Sequence, residues 1–229
     1  MTIPITVVIP VGPTPEACAY LPQAIESVAE SAIPPALWLI DDMHNIGAHD
    51  GCRSAREYAE VHRNAWNLGV GASFNVGVSV APTEHVLLLG ADDWLEPDAI
   101  AKASATIEAN PIENAYYWYR VRYSDDRAEK DQGQPCGAAV VTKSLWRATG
   151  GFPVESAVGR SDVMFLGMLF GHPELGSVVE IQDDGRPPYN YRVHDATHTA
   201  SRAPWVRALD ETAQAYWTTY QPPRWGRYE

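Results

Sequence analysis

The sequence predicts an α/β fold on a mostly parallel central sheet, and three stretches carry that reading. The first is Val86-Leu87-Leu88-Leu89-Gly90-Ala91-Asp92-Asp93-Trp94, an apolar run, two small residues and then two adjacent carboxylates. An unbroken apolar run of this length fits a strand covered on both faces, as in a parallel sheet. The second is Thr6-Val7-Val8-Ile9-Pro10, ended by Pro10, Gly12 and Pro13. The third is Leu37-Trp38-Leu39-Ile40, which also runs into paired acids, Asp41-Asp42. Between the second and third, Leu21, Ile25, Val28, Ala29 and Ala32 recur at helical spacing, with Pro22 suited to a helix start and Pro34-Pro35 to its end. Strand, helix and strand over about 35 residues make a right-handed, parallel βαβ unit. In open α/β sheets ligands bind outside the carboxyl ends of the strands, and both acid pairs should emerge there.

The remaining elements follow in order. The stretch 45–63 is polar, with a short helix around 54–61. Asn67-Leu68-Gly69-Val70-Gly71-Ala72 reads as a turn leading into a helix over 73–80. A helix over 97–109 would face Ile100, Ala103 and Ile107 inward, and Asn110-Pro111 would end it. The texture then changes. Residues 116–123 are aromatic and β-prone, and 124–134 form a charged loop. Residues 137–141 read as a strand, 143–148 as a short helix, Gly150-Gly151-Phe152-Pro153 as a sharp turn, 163–170 as a buried helix and 178–181 as a strand. From Pro204, the residues Trp205, Leu209, Ala213, Trp217 and Tyr220 form one stripe, an amphipathic C-terminal helix that closes the domain or joins two subunits as a homodimer.

Composition narrows the function classes. A chain of 229 residues suits one large domain or one with a small appendage. With 17 basic and 29 acidic side chains the formal net charge is −12, which disfavours a nucleic-acid backbone or an anionic membrane surface as partner. Cys18, Cys52 and Cys136 are scattered and odd in number, without a CxxC pair, so neither a zinc site nor a disulfide framework is indicated. The start of the chain lacks a basic, then apolar, leader, and no apolar run approaches the roughly 20 residues of a membrane span. A soluble protein of the cytoplasm is the expectation.

Two neighbouring carboxylates without a basic residue beside them repel each other unless a proton or a cation intervenes. For Asp92 and Asp93 a divalent metal carrying a diphosphate is one solution. Capping of the helix that follows Pro97 is the other.

Taken together, the residues resemble the large glycosyltransferase family 2, nucleotide-sugar enzymes of the GT-A fold, over about 6–194. The parts are Val8-Ile9-Pro10-Val11; the helix 21–33; Leu39-Ile40-Asp41-Asp42; Asn67-Leu68-Gly69 with Asn75; Leu89-Gly90-Ala91-Asp92-Asp93; Gly150-Gly151-Phe152 with Asp162; and Tyr191-Arg192-Val193-His194. The resemblance implies a Rossmann-like central sheet flanked by helices, with a small mixed C-terminal part. It implies a single catalytic domain over 1–203, divided into a nucleotide-sugar half (1–110) and an acceptor half (111–203), followed by the helix and tail of 204–229. It also implies an inverting, metal-dependent glycosyltransferase that takes a nucleoside-diphosphate sugar. Contacts to that donor fall on Pro10, Asp42, Asn67, Gly69, Asp92, Asp93 and Arg192. Asp92 and His194 would hold Mn²⁺ or Mg²⁺, and Asp162 would be the general base. Asp42, at the position that faces the base, leans towards a uridine donor.

Several residues depart from the family pattern. Gly90 stands where the metal motif commonly begins with an acid, Ser161 where an acid precedes Asp162, and Met43-His44-Asn45 where Gly-Ser-x-Asp is usual. Glu155 rivals Asp162, which would otherwise cap its helix. His198 and Arg202 are further candidates on a flap. The pairs Asp125-Asp126 and Asp183-Asp184 sit among polar residues and read as solvated. Trp94, Tyr117, Trp118, Tyr119 and Trp146 suit either a sugar platform or the core. The acceptor, whether glycan, protein or small molecule, is not readable, and the charge counts against DNA. A non-catalytic sugar-nucleotide-binding module is the alternative. A nucleotidyltransferase is disfavoured because Gly12-Pro13-Thr14-Pro15 carries no base.

Overall fold

The computed structural model describes residues 2–42, 58–124, 137–154 and 161–194. The expected Ser54 end of the 54–61 helix, Met43-His44-Asn45, Glu155, Asp125-Asp126, His198, Arg202 and the stripe from Pro204 lie outside them.

Each all-apolar run forms a strand buried on both sides. β1 (Ile5–Val11) is buried along its whole length. It lies between β2 (Ala36–Asp41) and β4 (His85–Leu88), parallel to both, pairing Val8 with Trp38 on one side and with Leu88 on the other. β3 (Glu60–Arg63) extends the sheet beyond β2, again in parallel. On the far side β8 (Ala139–Thr142) runs antiparallel to β4 and to β6 (Ala115–Trp118), and β9 (Ser177–Glu180) runs parallel to β6. The order is β3-β2-β1-β4-β8-β6-β9. A second sheet contains β5 (Trp94–Leu95), β10 (Tyr189–Tyr191) and β7 (Val121–Tyr123), with β10 in the middle.

Side-chain alternation splits the core in two. Val7, Ile9 and Val11 of β1 face Leu21, Ile25 and Val28 of α1 (Pro15–Ala29) and Ile100, Ala103 and Ile107 of α3 (Ala99–Ala109). Val8 faces the opposite way, into a cluster with Phe74 and Val78 of α2 (Val70–Val80), Leu145 of α4 (Lys143–Thr149) and Phe165 of α5 (Ser161–Gly171). Gly77 lets α2 approach β1 closely, because a Cβ there would run into Val8 Cγ1. Tyr117 and Tyr119 belong to the core, their hydroxyls donating to the carbonyls of Asn110 at 2.6 Å and Ala99 at 3.1 Å.

Three expectations are corrected. Pro22 does not start α1. The helix begins at Pro15, where the Thr14 hydroxyl caps the N–H of Ala17 at 3.2 Å, and Pro22 lies inside. Residues 60–61, expected as the end of the 54–61 helix, belong with 62–63 to the edge strand β3. Their side chains are largely exposed, so no apolar alternation marked them. Asp183 is not solvated: its carboxylate is buried and takes the Nε of Arg120 at 2.8 Å, a second contact to that guanidinium, and the N–H of Gly185 at 2.8 Å. Asp184 stays exposed and pairs with Lys102 at 3.1 Å.

Candidate active site

The parallel strands β1, β2 and β4 end at one edge, and the reversed strand β8 begins there, Ala139 pairing with Leu88. Asp42 follows β2 directly. Its backbone N–H donates to Val11 O at 3.0 Å, and its side chain is buried. Oδ1 accepts from Asn64 Nδ2 and from Leu68 N, both at 2.8 Å, and Oδ2 accepts from Gly69 N at 2.9 Å. A carboxylate offers about four acceptor positions, so one remains. Asn64, which the sequence reading passed over, also reaches Ser73 Oγ at 3.1 Å. Asn67 closes a local turn, its Oδ1 taking Gly69 N at 3.0 Å, and Gly69 has φ +81°, the left-handed region where a Cβ is strained. Pro10 is buried next to the end of β1, opposite Ile40.

At the end of β4, Gly90-Ala91-Asp92-Asp93 turns the chain into β5. Neither acid caps α3: Asp98 occupies that position, and both carboxylates are bonded elsewhere. Asp92 is 33% exposed, and its Oδ2 stands 3.1 Å from His194 Nε2, itself 14% exposed. Asp93 is 5% exposed. Its Oδ2 accepts from the Tyr189 hydroxyl at 2.8 Å and its Oδ1 from Arg192 N at 2.9 Å. Burial, and then the adjacent Asp92 charge, push the Asp93 carboxyl up to about 8. The same Tyr189 oxygen accepts from Gly90 N at 3.2 Å.

Arg192 does not point freely into a cleft. Its guanidinium lies 4.3 Å from the ring centre of Tyr20 and 4.7 Å from that of Trp94. It donates through Nε to the Asp92 carbonyl at 2.8 Å and through Nη2 to Gln23 Oε1. The Tyr20 ring also leans on the His194 ring, with centroids 5.3 Å apart.

Asp162 lies in the first turn of α5, one residue inside its start. A Cβ added at Gly137, which leads into β8, would stand 3.0 Å from Asp162 Oδ2. This puts the carboxylate at the edge where β4 ends. Asn75 of α2 holds the neighbouring turn: its Nδ2 donates to Phe152 O at 2.8 Å, and its Oδ1 accepts from Phe152 N at 2.7 Å and from Trp146 Nε1 at 2.8 Å. Gly71, also on α2, leaves no room for a Cβ against Ser161 Oγ. Ser161 therefore packs against the helix, which explains a small residue there in place of an acid.

The Asp92–His194 pair fits a hard divalent cation. Such ions take ligands at about 2.1 Å, so two ligands at right angles lie about 3 Å apart, close to the spacing seen here. Among the described residues no group of three or more His, Cys, Asp and Glu side chains could hold a metal. A cation at this pair would therefore take its other ligands from substrate phosphate and water, as Mg²⁺ commonly does.

A sheet of this order with acids at its carboxyl edge and a small second sheet beneath them is the architecture of the GT-A fold. The chain belongs to glycosyl transferase family 2, whose model matches residues 6–164. No curated protein sequence matches it significantly. Among solved structures, it is similar to S. aureus TarS 1-349 in complex with UDP-GlcNAc, at 16% identity and a TM-score of 0.70, covering 88% of this chain and 62% of that one. The UDP complex of the same protein gives 16% identity and a TM-score of 0.67, covering 83% and 61%. The mannosyltransferase PcManGT from Pyrobaculum calidifontis, in complex with GDP-Man and Mn²⁺, gives 15% and 0.63, covering 96% and 71%. The chain spans about three fifths of the TarS structures it matches. At these identities the likeness is one of fold.

Proposed function

We propose that this chain is an inverting, metal-dependent glycosyltransferase that moves a sugar from a nucleoside diphosphate, UDP by preference, to an acceptor hydroxyl. The observation that carries this reading is the Asp92–His194 pair at the carboxyl edge of β4, with the Asp162 carboxylate on the same edge. Family membership and the nucleotide-sugar complexes of structural neighbours support it.

Asp92 and His194 would hold Mn²⁺ or Mg²⁺, which supplies positive charge against the leaving diphosphate. The acceptor oxygen attacks the anomeric carbon from the side opposite the diphosphate, and the bond from that carbon to the diphosphate oxygen breaks. An alcohol is a poor nucleophile, so its proton must leave as the new bond forms, and Asp162 takes it. The remaining acceptor position on Asp42 suits the ring N–H of uracil, and Pro10, Asn67 and Gly69 shape the wall around the nucleotide. The scattered, odd cysteines support a reducing compartment, the cytoplasm. No helix among the described residues is long and apolar enough to cross a membrane.

Asp162→Asn tests the chemistry. Transfer from the best nucleotide sugar should fall by about 10²–10⁴-fold, the usual weight of a general base, while binding of that donor with Mn²⁺ persists. Full transfer by the variant would remove Asp162 from the reaction.

A further inference from the structure

The second acid, the arginine and the glycine of this site are all engaged with one another, and this changes their roles. Asp93 has both oxygens occupied by the segment 189–192. Arg192 spends its Nε on the carbonyl of Asp92 and its Nη2 on Gln23, with its flat faces against Tyr20 and Trp94. Tyr189 bridges Gly90 N and Asp93 Oδ2. The contacts between the 90–93 turn and the segment 189–192 join residues 96 to 100 positions apart, and they tie together the two stretches of chain that carry Asp92 and His194. Gly90 completes the arrangement: a Cβ there would lie 2.7 Å from Asp93 Oδ2 and 2.9 Å from Asp92 Oδ1. The space an acid would occupy in the usual motif is filled by the two carboxylates themselves.

We propose that Asp93, Tyr189 and Arg192 are positioning residues, a latch that fastens the segment 189–194 under the 90–93 turn and so presents His194 to Asp92, rather than groups that touch the donor. The proposal rests on the reading of Asp92 and His194 as the metal pair. With the segment fastened, His194 Nε2 stands 3.1 Å from Asp92 Oδ2 while its ring packs at a tilt against Tyr20. Groups that orient a metal ligand commonly alter metal affinity by 10–100-fold without touching the ion. The guanidinium serves here as a planar plate and a fork, so lysine cannot replace it.

The test uses the full chain, without donor sugar, as wild type, Tyr189→Phe, Arg192→Lys, His194→Gln and each latch variant combined with His194→Gln. The first readout is the ¹H–¹³C spectrum of histidine rings in metal-free protein. His194 is assigned by the His194→Gln form, and its ring protons in wild type carry a ring-current shift from Tyr20. Both latch variants should move that resonance towards the random-coil position while circular dichroism stays native. The second readout is Mn²⁺ affinity by titration. Each latch variant should weaken it about tenfold, and the effect should vanish when combined with His194→Gln. An unchanged His194 resonance in both variants overturns the proposal. So does unchanged Mn²⁺ affinity accompanied by weaker metal-free binding of UDP, the result expected if Arg192 were a phosphate ligand. If wild type takes up no Mn²⁺ but the resonance moves as stated, the metal reading fails and the latch stands. If a variant loses its native spectrum, Arg192→Gln and Asp93→Asn take its place under the same readouts.

Discussion

Gly90 shows how one missing atom decides a site. With Asp93 Oδ2 2.7 Å and Asp92 Oδ1 2.9 Å from the place of a Cβ, any side chain at this position must displace a carboxylate. Gly90→Ala should therefore cost about 1–3 kcal/mol, the range for forced overpacking, measured by urea unfolding. Gly90→Asp should lower transfer further instead of restoring a stronger metal motif. Titrating residues give a second prediction at this scale. Burial holds His85 below its ordinary imidazole range, partly offset by Glu84. The unfolded chain therefore binds a proton at this position more readily than the folded one. Below the unfolded value, about 6.5, stability falls with falling pH until the folded value is passed. Asp183 adds to the same limb at lower pH. Its pairing with Arg120 holds it below the carboxylate range, so its contribution is complete above about 3.9 and is lost as pH falls through the folded value. Unfolding curves at pH 7.5 and 5.5 should lie closer together for His85→Gln than for wild type.

Among the elements, α2 has the largest influence on the site. Its entry is held through Gly69 by Asp42, Gly77 packs on Val8, and Asn75 at mid-helix grips the Phe152 backbone. Asn75→Ala leaves the Trp146 ring N–H and two groups of Phe152 without their partner. This should cost about 2 kcal/mol and lower transfer more than donor binding, read as kcat against donor KM. The elements also divide by how plainly the sequence announced them. β1, β2 and β4 were legible because strands buried on both faces must be apolar throughout. β3 was not, since an edge strand can be polar and still pair, and β5 and β10 are too short to show a period. The acid pairs that follow β2 and β4 were legible from their position after apolar runs, whereas Asp162 was reached only through the resemblance. The long-range pairings of Asp93, Arg192 and Asp183 were not, because those partners lie 63 to 169 positions away and local periodicity carries no trace of them.

For the molecule as a whole, the proposed donor contacts lie on β1, just past the ends of β2 and β4 and at the entry to α2, and the proposed base on α5 beside the start of β8. A ligand gripping several of these elements should stabilise the fold as a unit. UDP with Mn²⁺ at about 100 times its dissociation constant should add about 2.7 kcal/mol, seen as a rise in Tm larger than either component alone produces. Asp42→Asn should reduce that rise, since its amide cannot accept from both Leu68 N and Gly69 N and still face the base.

Among the described residues β8 is the one strand of the central sheet that runs against its neighbours, and this has a consequence for how such a chain can diversify. Because β8 runs against its neighbours, the polypeptide enters it on the side where β1, β2 and β4 are left behind. Gly137, which leads into β8, therefore stands at the edge where β1, β2 and β4 end, beside Asp162. A change at that point would reach the proposed base while leaving the strands that lead to Asp42 and Asp92 as they are.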